Sequence, residues 1–337
     1  MKYDYSKYFA LRYGEYETYN RNAYIYIKDI DMLDKYLSSL KNIVNANEEK
    51  ENKKIGLLLS GGMDSAILAK YVDKNNTIAF TFKYDNNFAE DEYNNAKKYA
   101  EINGLQLIDV PISWETIKDD IIPLMRTRHG PISTIEPQLY EACKLAKKNY
   151  GINKLIIGGD ADVVFGGMDK MLTRDWKSAD DFLDFYCYLK PELVLKPEYI
   201  NNSYKKIVNS YWNPKTNKFD IVRFIDNIYE TESTKAYWVA FDTAKCQMID
   251  PFTALMYNYD IELIKKKPKY IIQDLFVKLY GFEPPEKKPM PRPVDFYEAL
   301  NEYPKNEMFR EDIDFSKLTG QQKWLIYCAD KYATGIN

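Results

Sequence analysis

The chain has 337 residues, of which 45% are hydrophobic and 29% are charged, a balance typical of a globular protein. No run of 18 apolar residues occurs and the N-terminus lacks the apolar core of a signal peptide, so we expect a cytoplasmic protein without a membrane span. The net charge of −3 disfavours a general nucleic-acid binder, which would usually be basic. The four cysteines are widely spaced, which disfavours a disulfide framework or a zinc site.

The first part of the chain, residues 1–50, is predicted to form a strand pair and a helix. The stretch AYIYIK alternates as a strand does, and the residues before it favour a turn. Apolar residues then recur at helical spacing from Leu33 to Ile43. The charged stretch NANEEKENKK is typical of a solvated linker.

Residues 51–170 repeat a pattern of strand, loop and helix. The predicted strands are IGLLLS, TIAFTFKY, LQLIDVPI and KLIIGGD, and the predicted helices are DSAILAKYV, DEYNNAKKYAEIN and PQLYEACKLAKKNYG. This alternation predicts an α/β fold with a doubly wound parallel sheet. Such sheets bind their ligands at the carboxyl ends of the strands.

Residues 171–337 are predicted to be mostly helical and to close over that edge of the sheet. The clearer helical segments are DDFLDFYCYL, SYKKIVNSYW, FDIVRFIDNIY and KYIIQDLFVKLYG. The run EPPEKKPMPRP contains five prolines in eleven residues and therefore predicts an irregular loop.

The loop after the first of these strands, SGGMDS, has the composition of a polyphosphate cradle. Gly61 and Gly62 let backbone N–H groups turn toward an anion, and Ser60 and Ser65 add hydroxyl donors. Asp64 would repel a phosphate unless a cation lay between them, so it is predicted to be a Mg²⁺ ligand. The alternative is a tight strand–helix turn in which Asp64 is only a charge at the helix N-terminus.

Two motifs carry a resemblance to a known family. S-G-G-x-D-S is similar to the pyrophosphate-binding loop of the ATP pyrophosphatases, which split ATP between its α and β phosphates. Residues 155–168, LIIGGDADVVFGGM, resemble the asparagine synthetase stretch L-S-G-E-G-x-D-E-x-F-G-G. Further on, AKCQMIDPFTALMYN resembles E-A-R-x-P-F-L-D, and EKKPMPRP resembles the late lysine-bearing loop. The resemblance extends over roughly residues 35–300.

The resemblance implies that the cofactors are ATP and Mg²⁺. Asp64 and Asp162 would hold the metal between them. Lys287 or Lys288 would stabilise charge on the α-phosphate, and the register between these two lysines stays open. The residues implied to contact the nucleotide are Leu58, Ser60, Gly61, Gly62, Asp64, Ser65, Phe82 and Gly158.

Several positions depart from the family pattern and leave the substrates open. Gly159 replaces the glutamate of G-E-G-x-D, and Val163 replaces the second acidic residue of D-E. Lys245 and Gln247 replace the arginine and the proline of E-A-R-x-P-F-L-D. Asp160, next to Gly159, is the candidate base that would deprotonate an amine.

The resemblance implies an enzyme that adenylates a small-molecule carboxylic acid and transfers nitrogen to it. In asparagine synthetases a cysteine after the initiator Met serves an N-terminal glutaminase, whereas Lys2 stands there in this chain. We therefore expect ammonia from solution or from a separate glutaminase, or else another amine. The alternatives are a ring-closing synthetase of the β-lactam synthetase type, a nucleic-acid-modifying thiolase or amidase, and a non-catalytic nucleotide binder.

A basic segment, MRTRHGPIS, precedes the helix that leads into the second motif. Arg126 and Arg128 have the planar, bidentate groups that match a carboxylate or a phosphate, and His129 is the only histidine of the chain. These three residues are candidates for substrate binding. The alternative is a surface loop with incidental charges.

Overall fold

A five-stranded parallel sheet lies at the centre of the protein. The structure is a computed structural model, and it describes residues 3–12, 25–40, 54–286 and 290–335. In chain order the strands are β1 (Ile25–Ile27), β2 (Ile55–Leu58), β3 (Thr77–Tyr84), β4 (Gln106–Ile112), β5 (Lys154–Ile156), β6 (Trp212–Asn213), β7 (Lys218–Phe219), β8 (Gln247–Ile249) and β9 (Leu255–Tyr257). The main sheet has the order β4-β3-β2-β5-β8, and every neighbouring pair in it is parallel. The predicted doubly wound α/β fold is therefore confirmed.

Helices cover both faces of this sheet. They are α1 (Tyr5–Leu11), α2 (Ile30–Ser38), α3 (Met63–Tyr71), α4 (Glu90–Asn103), α5 (Trp114–Ile117), α6 (Ile121–Arg128), α7 (Glu136–Tyr150), α8 (Ala161–Val164), α9 (Asp169–Leu172), α10 (Ala179–Tyr186), α11 (Ser203–Asn209), α12 (Ile221–Phe224), α13 (Glu230–Ala244), α14 (Ile261–Lys266), α15 (Tyr270–Tyr280) and α16 (Gly320–Gly335). A π-helical stretch, Ile225–Tyr229, joins α12 to α13. No helix within the described ranges is long and apolar enough to cross a membrane.

The order of the strands places a topological switch point between β2 and β5. From β2 the chain proceeds outward through β3 and β4 to one edge, whereas β5 and β8 lie on the other side of β2. The loops that follow β2 and β5 lie side by side at the carboxyl edge of the sheet, and the helices α3 and α8 that begin there contribute to the same core. A crevice opens beside these loops. Open α/β sheets bind their ligands in such a crevice.

Alternating side chains of the central strands fill two separate cores. Phe80 and Leu155 face one core, which α7 and α16 complete. Leu57 and Ile156 face the other, which α3 and α15 complete. Both faces of β2 and β5 are buried, so packing holds these strands in place from both sides. The loops that follow them are therefore attached to a rigid support.

The sheet extends beyond the part of the chain in which sequence reasoning placed it. The strand β8 pairs with β5 in the register Lys154↔Gln247 to Ile156↔Ile249. It was not predicted because only three residues form it and Gln247 is exposed, so no apolar alternation is visible. The C-terminal part of the chain thus contributes an edge strand to the sheet as well as helices.

The N-terminal strand pairs with a distant segment. Ile25–Ile27 lies parallel to Leu255–Tyr257, while the turn-forming residues at 13–24 lie outside the described residues. The predicted amphipathic helix is present as α2, which buries Leu33 and Leu37; its continuation to Ile43 and the linker up to residue 53 lie outside the described residues. Helix α1 was not predicted, and it places Tyr8 and Phe9 in the main core.

Three charged side chains in the interior link α6, α7 and α13, and we call Arg128, Glu136 and Glu232 the buried triad. Arg128 donates through Nη1 to Glu136 Oε1 at 2.5 Å and through Nη2 to Glu232 Oε1 at 2.6 Å. The three side chains are 1%, 0% and 2% exposed, so water screens these contacts little. The interpretation of Arg128 as an incidental surface charge is therefore wrong, because two carboxylates hold it in the core.

Replacing Arg128 with methionine should lower the free energy of unfolding by about 3–5 kcal/mol, because it leaves two buried carboxylates without their cation. Urea denaturation followed by circular dichroism measures this loss. Arg126→Met is the matched control, since Arg126 lies on the same helix with its side chain exposed, and it should change stability by less than about 0.5 kcal/mol. Equal stability of the two variants would contradict a supporting role for the buried triad.

Candidate functional site

The loop between β2 and α3 is folded onto itself by its two serines. Ser60 donates its backbone N–H to Ser65 Oγ at 3.0 Å, and the two hydroxyl oxygens are also 3.0 Å apart. The Gly62 N–H donates to Ser60 Oγ at 3.1 Å. These bonds fix the loop at the N-terminus of α3, where the helix dipole favours an anion.

The two glycines of this loop serve different needs. A Cβ at Gly61 would lie 2.5 Å from the Glu92 carbonyl oxygen and 2.7 Å from Glu92 Cα, so only glycine lets the first turn of α4 approach the loop. A Cβ at Gly62 would meet only Ser60 Oγ, at 3.3 Å, and the φ angle of Gly62 is −84°, which any residue adopts. Close helix packing, more than a tight turn, explains the glycine at position 61.

The second loop follows β5 and packs against the first. A Cβ at Gly158 would lie 3.4 Å from Asp64 Cβ, which shows how closely the two loops approach. Asp160 comes next and is only 5% exposed. Its N–H donates to Asp250 Oδ2 at 2.9 Å, and its Oδ2 accepts from Thr253 Oγ1 at 2.7 Å. Asp160 thus connects the second motif to the segment between β8 and β9.

Asp250 is a site residue that sequence reasoning missed. Burial, and after it the charge of Asp160, raise the pKa of the Asp250 carboxyl well above its ordinary value. Asp250 Oδ1 accepts the Phe252 N–H at 2.9 Å, so the carboxyl also shapes the turn after β8. The signal was present in the sequence, because Asp250 corresponds to the last residue of E-A-R-x-P-F-L-D.

A buried lysine joins the two aspartates that were predicted to bind a metal. Lys269 Nζ donates to Asp64 Oδ1 and, at 2.9 Å, to Asp162 Oδ1. The lysine side chain is 0% exposed, whereas the two carboxylates are 23% and 29% exposed. Burial lowers the pKa of Lys269, but the charges of Asp162 and Asp64 outweigh it and raise that pKa above its ordinary value. The group is therefore an ammonium ion at neutral pH.

The geometry of these carboxylates fits a metal that is bound together with a polyphosphate. Asp64 and Asp162 lie in the first turns of α3 and α8 and converge on one cation, the ammonium group of Lys269. Within the described ranges no group of three or more His, Cys, Asp or Glu side chains could hold a metal. Mg²⁺ is commonly held by one or two carboxylates, with phosphate oxygens and water completing its shell. Two protein ligands therefore suffice when a nucleotide supplies the others.

A cavity of about 570 Å³ opens at this edge of the sheet. Its lining includes all eight residues predicted to contact a nucleotide: Leu58, Ser60, Gly61, Gly62, Asp64, Ser65, Phe82 and Gly158. Tyr84, Tyr93 and Tyr237 add aromatic walls. The structure thus brings the predicted contact residues together around one space of a size suited to a small-molecule ligand, although their role in ATP binding stays a prediction.

The proline-rich loop lies against the same cavity. Pro285, Glu286, Met290 and Pro291 line it. Gln138 anchors the loop, because its Oε1 accepts from Tyr84 OH at 2.7 Å and its Nε2 donates to the Pro291 carbonyl at 3.3 Å. Lys287 and Lys288, the candidates for the late catalytic lysine, lie outside the described residues.

The basic segment at the end of α6 lies apart from the cavity. Arg126 and His129 are exposed, Arg128 belongs to the buried triad, and none of these side chains is among the described residues that line the cavity. His129 ends the helix with a φ angle of +55°. Their role in substrate binding stays a prediction without support from their positions.

Fold and site together define a class: α/β proteins with a doubly wound parallel sheet and a ligand cavity at its switch point. The family model for asparagine synthase matches residues 36–257, more than half of the 337 residues, and the chain belongs to this family. The resemblance inferred from the motifs is therefore confirmed, and membership implies an enzyme that uses ATP.

Comparisons with individual proteins add little to this assignment. A search of curated proteins finds no match. Among the matching solved structures is the U34-tRNA thiolase NcsA from Methanococcus maripaludis with its 4Fe–4S cluster, which is 15% identical, with a TM-score of 0.29 over 63% of this chain and 78% of that chain. Similarity at this level carries no inference about the activity of the present chain.

Gly61→Ala should lower the free energy of unfolding by about 1–3 kcal/mol, because the new methyl group would overlap the backbone of Glu92. Gly62→Ala is the matched control one residue away and should cost less than about 1 kcal/mol, since only a serine hydroxyl has to move. Denaturant titration of both variants makes the comparison. A Gly61→Ala protein as stable as Gly62→Ala would show that α4 does not require the glycine.

Lys269→Met should lower the free energy of unfolding by up to about 3 kcal/mol at pH 8. This loss is smaller than that expected on breaking a fully buried ion pair, because both carboxylates are partly exposed. The pKa of Lys269 is raised on folding, so its contribution is complete below the ordinary lysine value of 10.5 and is lost as the pH rises through the folded pKa. The difference between wild type and variant should therefore shrink above about pH 10.5. Lys265→Met, an exposed position on α14, is the control; a pH-independent difference for Lys269→Met would rule out the ion pair as its cause.

Proposed function

We propose that this protein is an ATP- and Mg²⁺-dependent ligase that adenylates a small carboxylic acid, releases pyrophosphate and transfers ammonia or another amine to the acyl-adenylate. The observation that carries the proposal is the convergence of Asp64 and Asp162 on Lys269, because Asp64 lines the cavity together with the rest of the S-G-G-M-D-S loop. Membership of the asparagine synthase family supports the use of ATP.

The first loop would bind the leaving pyrophosphate. The serine hydroxyls of Ser60 and Ser65 are already fixed by mutual hydrogen bonds, so little conformational freedom would be lost on binding. The N-terminus of α3 adds backbone N–H groups and the positive end of the helix dipole. Leu58, Phe82 and Gly158, on the walls of the same cavity, would contact the adenine and the ribose.

Asp64 and Asp162 would hold the metal together with phosphate oxygens. When bound, Mg²⁺ would supply positive charge to the phosphate oxygens and so favour departure of pyrophosphate. Lys269 keeps the two like-charged carboxylates close together, since its ammonium group contacts both. It would thereby orient both groups toward the polyphosphate.

The nitrogen donor would approach from the side of the second motif. Gly159 replaces the family glutamate there, and Asp160 next to it is the candidate base for an amine. Asp160 is buried and accepts a hydrogen bond from Thr253. A proton taken up by Asp160 would therefore have to leave through the hydrogen-bonded groups around it. Lys287 or Lys288 would stabilise charge on the α-phosphate. Ammonia would come from solution or from a separate glutaminase.

Turnover of ATP should give AMP and pyrophosphate, because the loop after β2 is S-G-G-M-D-S. A Walker A loop, with its lysine, would instead favour ADP and phosphate. Anion-exchange chromatography of the nucleotide products, with a panel of carboxylic acids and ammonium salts, measures this. ADP as the main product would overturn the proposal.

Asp64→Asn and Asp162→Asn should each lower the rate of ATP turnover by on the order of 100-fold or more, with the fold retained. Asp184→Asn, at an exposed position paired with Lys190, is the control and should leave the rate unchanged.

A further inference from the structure

Two of the four cysteines are in contact in the folded protein. Cys143 lies on α7 and Cys246 lies between α13 and β8, 103 positions further along the chain. Cys246 Sγ donates to the Cys143 carbonyl oxygen at 3.9 Å, and the two thiol groups are also hydrogen-bonded to each other. The fold thus brings together two thiols whose spacing in the sequence gives no sign of pairing, and we call Cys143 and Cys246 the thiol pair.

Hydrogen bonds around the thiol pair hold the two sulfurs near each other. Cys143 lies in the middle of α7 with its side chain 0% exposed. The Cys246 N–H donates to the Phe241 carbonyl at 2.9 Å, just after the end of α13. Lys147, one turn after Cys143 on α7, donates through Nζ to the Ala244 carbonyl at 2.9 Å. These bonds connect α7 to the end of α13, so the contact between the sulfurs does not depend on a covalent link.

The two thiols differ in access and in acidity. Cys246 is partly exposed, whereas Cys143 is buried. The hydrogen bond from Cys143 lowers the pKa of the Cys246 thiol; burial opposes this effect and the charge of Lys147 adds to it. Burial, and after it the hydrogen bond to Cys246, raise the pKa of the Cys143 thiol. Because the thiolate is the reactive form, an oxidant from solution would meet a reactive sulfur at Cys246 and a protonated one beside it at Cys143.

We propose that the thiol pair is a redox-active site at which a peroxide converts Cys143 and Cys246 to a disulfide. In the first step the Cys246 thiolate attacks one oxygen of hydrogen peroxide, the O–O bond breaks, and the other oxygen leaves as hydroxide and takes up a proton. The product is a sulfenic acid on Cys246 and one water.

In the second step the Cys143 sulfur attacks the sulfenic sulfur of Cys246. The S–O bond breaks, and the proton of the Cys143 thiol leaves with the departing hydroxide as a second water. The two cysteines together lose two electrons, and the peroxide gains them. A thiol reductant reverses the change by exchange with the disulfide.

The disulfide would connect α7 covalently to the start of β8. Four residues after Cys246, at the end of that strand, Asp250 accepts the Asp160 N–H at 2.9 Å. The cross-link would therefore form in the segment that supports the second motif. The inference concerns the thiols alone and does not depend on the use of ATP.

Peptide mapping of the oxidised protein tests the proposal. Folded protein is treated with an equimolar amount of hydrogen peroxide, free thiols are alkylated in denaturant, and the peptides are analysed by mass spectrometry without reduction. The expected product is one linked pair of peptides that contains Cys143 and Cys246, and dithiothreitol should separate it. Cys187 is the internal control, since it is also partly exposed but burial raises the pKa of its thiol to about 11. It should react at least about 10-fold more slowly than Cys246.

Serine variants test the order of the two steps. Cys143→Ser should stop at a sulfenic acid on Cys246, which dimedone traps, whereas Cys246→Ser should leave Cys143 unmodified. Cys187→Ser is the matched control and should form the disulfide at the wild-type rate. Oxidised wild-type protein should also melt at a higher temperature than reduced protein, because the cross-link closes a loop of 103 positions in the unfolded chain.

Wild-type protein alone decides the outcome even if a variant does not fold. The inference is overturned if Cys143 and Cys246 are both still alkylated after peroxide treatment, if Cys246 is oxidised without the cross-link, or if Cys187 reacts first. The same treatment in urea is the control for the role of the fold, and the linked peptides should then lose their excess over other cysteine pairings. An equal yield of the Cys143–Cys246 link in urea would also overturn the inference, because the contact in the fold would not be its cause.

Discussion

The contact of one buried ammonium group with two carboxylates determines the geometry of the site. Asp64 and Asp162 lie in the helices that follow the neighbouring parallel strands β2 and β5, and like charges so close together would repel unless a cation separated them. Lys269 supplies the cation from 205 and 107 positions further along the chain. The arrangement of the two aspartates therefore includes a residue from the segment before α15, in the C-terminal half of the protein.

The elements that could be predicted from the sequence are those in which the local spacing of apolar residues matches their burial in the fold. The strands β2 to β5 are short, largely apolar runs between turn signals, and glycine-rich loops follow β2 and β5 directly. Lys269 could not be found in this way, because it stands in a lysine-rich segment that has the composition of a solvated surface. Arg128 likewise stands in a basic segment typical of a surface, and its two carboxylate partners in the core include Glu232 from 104 positions away. The environment of these charged residues depends on partners far away in the sequence, and the residues next to them in the chain give no sign of such partners.

Most of the site lies within the part of the chain that matches the asparagine synthase family. That stretch contains both loops, the two aspartates and most of the cavity wall. The proline-rich loop lies beyond it and adds Pro285, Glu286, Met290 and Pro291 to the wall. The residues suited to ATP are kept in both motifs, whereas Gly159, Lys245 and Gln247 depart from the family pattern and leave the acid and the nitrogen donor open.

The central claim is that Asp64, Asp162 and the S-G-G-M-D-S loop receive the metal-bound polyphosphate of ATP. A crystal structure with Mg²⁺ and the non-hydrolysable analogue α,β-methylene-ATP tests it most directly. The account predicts the β and γ phosphates at Ser60–Ser65 and a metal about 2.0–2.1 Å from oxygens of both aspartates. A polyphosphate bound elsewhere, or a metal that contacts neither aspartate, would contradict it.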